Sequence, residues 1–529
     1  MKKLLYVLPM AALLTIASCS QGSKDKSESK EPESASSIPA ASVEESSKEQ
    51  EPSSSVEESS KEQESSSADG DGYLIKEPTT IELVSNSSYT DDLDSFIASF
   101  KKIEPNVTVI NTKESTSYDG LKDKIVDGLA ANNYADLAVL YPDAIGTLMD
   151  YGVVRQLDPY MTNETYGWSD DDLDDIIPAY LQEGTEYTLP GTYSLPFSKS
   201  TEAMFYNKCI LGLDLSKFDS SINGGNPISE EYINNLTWDE LFDHLAPALV
   251  SYNDTLDDDH KILRDNATYT KAVFGYDSDD NLFITLAEQY GYGYTEVDPV
   301  TGEGKLLFNN DGMKGLMKKF KAAYDNGYFF TKGSSKNGKY TNFSFTASSA
   351  LFTVGSTGGL KYQVAANLDT GVARIPQAPA GAGHKNSLIS QGPSICLLDH
   401  KDDNRALAAW LFYKHMTNEM NSLKWALDTG YSPIRYSNME TNDYLDVASE
   451  EGKELYSLDM VKARVFQYVA DEKVASSFYT TPVFKGSDAA RTVCGSLVTT
   501  LLMKDKGTLT DEIVNTEFDK AENTIKTKM

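Results

Sequence analysis

The chain has 529 residues, 40% of them hydrophobic, and carries 80 acidic against 47 basic side chains for a formal net charge of −33. That length allows two or three domains, and that apolar content is enough for a packed core, which excludes a wholly disordered chain. The charge excludes nucleic acid and anionic lipid headgroups as natural partners, because both repel so acidic a surface.

Residues 1–19 read MKKLLYVLPMAALLTIASC. Lys2 and Lys3 precede an apolar stretch from Leu4 to Ile16 that is too short to span a bilayer and has the layout of an export signal. Ile16, Ala17, Ser18 and Cys19 have the form of a bacterial lipobox, so Cys19 is the expected site of lipidation. The plainer alternative is an ordinary signal peptide that ends near a Cys. With Cys19 lipidated, an odd three cysteines remain, Cys209, Cys396 and Cys494, which argues against a disulfide framework.

Residues 20–78 form the expected tether. As far as residue 72 they are almost wholly Ser, Glu, Lys, Pro, Gln and Ala, and VEESSKEQE occurs twice, at 43–51 and 56–64. Such a segment buries too little apolar surface to offset its ordering entropy, so it reads as an extended, self-repelling spacer. A spacer behind a lipidated Cys suits a domain held out through a cell wall, on the extracellular face of a Gram-positive-like cell.

The globular part then alternates strand and helix. Residues 80–84 (TIELV) are β-prone, and Leu93, Phe96, Ile97, Phe100 and Ile103 recur at helical spacing until Pro105. Residues 107–110 (VTVI) are strand-like, Leu121, Ile125 and Leu129 mark a second helix, and residues 135–140 (ADLAVL) form a near-continuous apolar run. Ile145, Leu148 and Met149 follow on a third helix. This rhythm predicts an α/β fold with helices on both faces of a parallel sheet.

In open α/β sheets, ligands sit beyond the carboxyl ends of strands. Asn86, Ser87 and Ser88 follow the first strand, and Tyr141 and Asp143 follow the third. Amide, hydroxyl, carboxylate and aromatic face together suit a neutral polyol. Equally, Asn and Ser at such positions turn the chain and cap helices.

Several near-motifs resolve to ordinary structure. Asp277 to Asn281 with Glu288 approach a calcium loop, but the turn position is Leu282 instead of Gly, so a capped helix start fits better. Residues 333–340 (GSSKNGKY) approach a phosphate loop but end in Tyr340, and read as an exposed turn. His244, His260, His384, His400 and His415 show no metal-ligand spacing, and no G-x-S-x-G elbow is present. No metal and no cofactor is expected. Paired acids for glycoside hydrolysis need only spatial proximity, so a surface glycosidase stays open at this point.

Separate segments, in order, carry a family resemblance: VVRQLDPY at 153–160, YSLPFSKSTEAMFYNK at 193–208, TWDEL at 237–241, FTASSALFTVGSTGG at 345–359, the P-x-x-P run at 371–379, a strand at 391–398, and a helix ending in GYSPIR at 430–435. From about residue 79 onward the chain resembles the family 1 extracellular solute-binding proteins, the group of maltodextrin and glycerol-phosphate binders. The resemblance implies a two-lobed periplasmic-binding-protein fold of the Venus-flytrap type, with the ligand cleft between the lobes. Lobe 1 would be 79–197 and 374–430, lobe 2 would be 201–370 and 436–529, and residues 197–200 would form a hinge. Ligand would favour the closed state, and a membrane ABC permease would accept the closed protein, with no bond in the solute broken.

The resemblance also implies contacts. Ser200 falls on the hinge strand, and Gly355, Ser356 and Thr357 on the glycine turn that meets ligand. The family's cleft tryptophans are absent here, so Tyr141, Tyr193 or Phe484 would supply a stacking face. Arg435 would be the candidate for an anionic head such as phosphate, or else a surface cation, and Tyr431 is either contact or core. Trp238, Trp410 and Trp425 read as packing residues. The expected solute is a sugar or oligosaccharide, the expected state a monomer; the alternatives are a glycerol-phosphate or other anion binder, the glycosidase, and an adhesin.

Overall fold

The structure, a computed structural model, describes residues 72–86, 90–114, 118–298 and 300–529. Cys19, the tether up to residue 71, Ser87, Ser88 and the side chain of Asn86 lie outside the described residues.

The expected alternation is present. Strands β1 (Thr79–Asn86), β2 (Val107–Glu114) and β3 (Leu137–Leu140) run parallel, with β1 between the other two. All four β3 residues are buried, as a strand covered on both faces requires. Helix Thr90–Ile103 lays Leu93, Phe96 and Phe100 into the core, where Phe100 meets Phe412 at 5.2 Å between ring centres. Strands β4 (Leu195–Pro196) and β13 (Ser394–Leu397) complete the sheet in the order β2-β1-β3-β13-β4, and β13 runs antiparallel to both its neighbours. At the amino end of β3, Arg405 donates to both oxygens of buried Asp136, at 2.8 and 2.7 Å, which ties helix Asp403–Met416 to the sheet.

A second five-stranded sheet has the order β11-β5-β10-β6-β9. Its strands are β5 (Glu202–Asn207), β6 (Phe274–Tyr276), β9 (Phe329–Thr331), β10 (Phe352–Ser356) and β11 (Thr370–Ala373). Strands β6, β9 and β10 are parallel, and β5 runs against β10 and β11. Two small pairs lie outside these sheets: β7 (Thr295–Val297) with β8 (Gly304–Leu306), and β12 (Leu388–Ile389) with β14 (Phe478–Tyr479). Each five-stranded sheet carries its own hydrophobic core, so the fold is a two-lobed α/β architecture.

The chain crosses between the sheets in close-packed segments. Ser200 and Gln391 exchange both backbone hydrogen bonds, at 2.8 and 3.0 Å, and Ser432 N donates to Lys199 O at 2.8 Å. Gly392 sits at φ +93°, and a Cβ there would stand 2.0 Å from Ser198 O, so this crossing admits only glycine. Ile375, Ala378 and Leu388 pack in the core of the second sheet, so the chain rejoins the first sheet only at β13, later than the 371–379 motif suggests. Helix Ser487–Leu502 lies against helix Asp279–Gln289, where Gly495 lets the backbones approach. Trp238, Trp410 and Trp425 are buried, and Cys209, Cys396 and Cys494 are free thiols. Among the described residues no helix is long and apolar enough to cross a membrane.

Candidate functional site

The carboxyl ends of β3, β6, β9 and β10 and the amino end of β5 open onto one cleft of about 810 Å³. From the first sheet come Tyr118, Tyr141, Asp143 and Glu183; from the second come Glu202, Asp277 to Asn281, Lys332, Tyr340, Gly355, Ser356 and Arg491; the crossing segment supplies Ser390, Gln391 and Gly392. The rings of Tyr118 and Tyr141 meet edge to face at 4.8 Å, and the Lys332 ammonium lies 4.0 Å from the centre of the Tyr340 ring.

The run after β6 is a capped helix start. Ser278 Oγ accepts from Asn281 N at 3.3 Å. Asp279 accepts from Thr331 Oγ1 at 2.5 Å, Gly333 N at 2.9 Å and Thr499 Oγ1 at 3.0 Å, so its oxygens are filled by the chain itself. Among the described residues no group of three or more His, Cys, Asp or Glu is placed to hold a metal.

Asn281 is the junction of the polar network. Its Nδ2 donates to Glu202 Oε1 at 3.1 Å and to Gln391 Oε1 at 2.9 Å, and its Oδ1 accepts from Arg491 Nη1 at 2.6 Å. Arg491 reaches in two directions, to Asp280 Oδ2 at 3.0 Å and across the cleft to Asp143 Oδ2 at 3.1 Å. Burial alone would raise the Asp280 carboxyl, but the Arg491 guanidinium and the Ser278 hydroxyl outweigh it and hold Asp280 below the usual range. Glu202 goes the other way. Burial pushes it up to about 8, against the hydrogen bonds from Tyr276 and Asn281, so near pH 7 it is mostly a neutral acid.

Under the crossings sits a buried ion pair. Lys199 Nζ donates to Glu183 Oε1 at 2.6 Å and to Gly392 O at 3.1 Å, and Ser394 Oγ donates to the same Glu183 oxygen at 2.9 Å. Lys199 is fully buried and Glu183 is 3% exposed.

Of the residues singled out from sequence, Tyr141, Asp143, Gly355 and Ser356 line the cleft. Ser200 stands one step behind, its Oγ accepting from Ser356 Oγ at 3.2 Å. Thr357 is buried and its Oγ1 accepts from Thr201 N at 3.2 Å, which joins crossing to glycine turn away from the cleft. The Tyr431 ring packs on Gly358, and Phe484 packs on Gly304. Tyr193 is buried against Tyr187 at 6.1 Å. Arg435 is neither a cleft cation nor a surface one: it is 3% exposed and donates to Thr417 O at 2.9 Å, Asp175 Oδ2 at 3.1 Å and Asp172 Oδ1 at 3.3 Å. Its guanidinium is consumed in joining helix ends. Glu183, Glu202, Asn281, Gln391 and Arg491 escape the sequence reading. The strand-end argument applied to β6 would have found Asp277 to Asn281, whereas Arg491 sits mid-helix and carries no local signal.

A family model described as bacterial extracellular solute-binding protein matches residues 95–447. No curated protein matches the chain. Solved structures with a similar fold include UgpB from Mycobacterium tuberculosis in complex with glycerophosphocholine, at 16% identity and a TM-score of 0.59 over 85% of this chain and 98% of that one. The cyclic alpha-maltosyl-1,6-maltose binding protein from Arthrobacter globiformis gives 15% and 0.59 over 85% and 98%. The substrate-binding protein Lmo0181 from Listeria monocytogenes, in complex with cycloalternan, gives 15% and 0.59 over 85% and 99%.

Proposed function

Because the chain belongs to the bacterial extracellular solute-binding protein family, we propose that it is the capture component of an ABC importer, taking a sugar or oligosaccharide into the cleft and delivering it unaltered to a membrane permease. The observation that carries the sugar over an anion is the charge of the cleft. Among the described residues six acidic side chains besides the protonated Glu202 line it (Asp143, Glu183, Asp277, Asp279, Asp280 and Asp488), against two basic ones, Lys332 and Arg491. Arg491 is already shared between Asp143 and Asp280. A phosphate would enter a field of its own sign, whereas hydroxyls find carboxylates and amides to bond and tyrosine faces to lie on. The saccharides bound by the Arthrobacter and Listeria proteins of similar fold support the same reading.

The mechanism proposed is closure of two lobes on solute bound by both, with bridging contacts shifting the population to the closed form. The lobes are proposed as 79–197 with 374–430 and 201–370 with 436–529; the packing of Ile375, Ala378 and Leu388 favours moving the return boundary to β13. The protein is proposed to act as a monomer, held by a lipid on Cys19 at the outer face of a Gram-positive-like membrane, and to have no catalytic role. Cys19→Ala, expressed in such a host, is expected to shed the protein into the medium.

Calorimetric titration tests the solute class. Heat with maltotriose or cycloalternan, and none with glycerol 3-phosphate, is the expected result; heat with glycerol 3-phosphate alone would overturn the sugar reading.

A further inference from the structure

A small polar niche opens beside Gly355 in the cleft wall. Asp277 Oδ1 is filled by Thr341, which donates its backbone N–H and its hydroxyl, both at 2.6 Å. Asp277 Oδ2 accepts from no described residue. Gln363 lies alongside, 2% exposed, with its Oε1 buried and unpartnered and its Nε2 bonded to no described residue. A Cβ on Gly355 would stand 3.1 Å from Asp277 Oδ2 and 3.2 Å from Gln363 Nε2, so the space left by the missing side chain is flanked by one acceptor and one donor. Turning the amide over would set its oxygen against the carboxylate, acceptor facing acceptor, so the nitrogen belongs on this side. A buried amide with neither end bonded to a described residue is rare in folded proteins, and its N–H on this side is left to donate to a ligand.

We propose that this niche is a hydroxyl subsite: a solute O–H seated over Gly355 accepts from Gln363 Nε2 and donates to Asp277 Oδ2. The proposal rests on the sugar-capture reading and sharpens it to a chemical group. A hydroxyl both donates and accepts and so satisfies both flanking atoms. A phosphate oxygen has only lone pairs to offer the carboxylate, and an ammonium has none to offer the amide N–H. Gly355 lies in β10 outside the left-handed region, so its lack of a side chain answers to space and not to backbone strain.

The test compares wild-type protein with Gly355→Ala, Asp277→Asn and Gln363→Leu, each titrated calorimetrically with maltotriose and with cycloalternan and each melted without solute. Gly355→Ala is expected to melt with the wild type and to lose at least about tenfold in affinity for the saccharide that binds. Gln363→Leu removes an unbonded buried amide, so it is expected to melt no lower than wild type and to lose affinity likewise. Asp277→Asn keeps an acceptor for Thr341 and serves as the check should Gly355→Ala fold poorly. Affinities unchanged in Gly355→Ala and Gln363→Leu would overturn the subsite alone. No heat from the wild type with either saccharide would overturn the sugar reading, and the subsite with it.

Discussion

Arg491 Nε bonds Asp143 Oδ2 at 3.1 Å, and this one contact spans the cleft between the helix that follows β3 and helix Ser487–Leu502. Lys122 and Asp488 repeat the span at 3.4 Å. Arg491→Met would leave Asp143 and Asp280 facing each other without their shared cation. The ligand-free variant is expected to be more open, with a larger radius of gyration by small-angle X-ray scattering, and to bind saccharide about tenfold more weakly, because solute must then pull closed a cleft that favours the open state. A scattering curve identical to wild type would contradict this.

Glu202 links folding to pH. Its carboxyl is raised from the ordinary 4.5 to about 8 in the folded protein, so the folded state holds a proton that the unfolded chain releases. Its contribution to stability is therefore complete below pH 4.5 and is lost as pH rises through 8, by up to about 1.4 kcal/mol per pH unit. Burial sets this shift; among the groups around the carboxyl, Tyr276, Asn281 and Arg491 oppose it and Asp280 adds to it. Glu202→Gln should flatten the fall of melting temperature across that window relative to wild type; a constant offset between the two proteins at every pH would refute the assignment.

The Lys199–Glu183 pair is buried on both sides. Lys199→Met strands a carboxylate beneath the crossings and is expected to cost about 3–5 kcal/mol, read as a lower urea midpoint. The double variant Lys199→Met, Glu183→Gln should recover part of that loss, since no uncompensated charge is left. A double variant no more stable than the single would show that the hydrogen bonds to Gly392 and Ser394 matter more than the charges.

Arg435 holds Asp172, Asp175 and the Thr417 carbonyl together at 3.3, 3.1 and 2.9 Å from its three nitrogens. Arg435→Met is expected to lower stability by about 2–4 kcal/mol and to leave solute preference unchanged. A change in preference between saccharide and glycerol 3-phosphate would return Arg435 to the binding machinery.

The fold is legible wherever its signal is local. Leu93, Phe96 and Phe100 announce their helix by spacing, and the run at 135–140 announces a covered strand, because each pattern is complete within a dozen residues. The strand-end rule likewise reaches Tyr141 and Asp143. The remaining polar wall has no such signature. Glu202 faces the cleft because β5 runs antiparallel and presents its first residue there, and Arg491 arrives from a helix 210 residues away in sequence from Asn281, its closest partner. Tyr193 and Phe484 read as exposed aromatic faces by analogy, yet each fills a gap in its own neighbourhood: Phe484 rests on Gly304, which has no side chain to keep it away. Residue type alone cannot separate an aromatic that greets solvent from one that plugs a hole.

The lining runs from Tyr118 to Thr499, drawn from both sheets, the crossings and a helix near the carboxyl terminus. No contiguous fragment contains it. During synthesis the first sheet must wait for β13, and the cavity stays missing a wall until helix Ser487–Leu502 has emerged and docked. A chain still lacking that helix therefore has nothing with which to grip its cargo, and competence arrives all at once, when it docks.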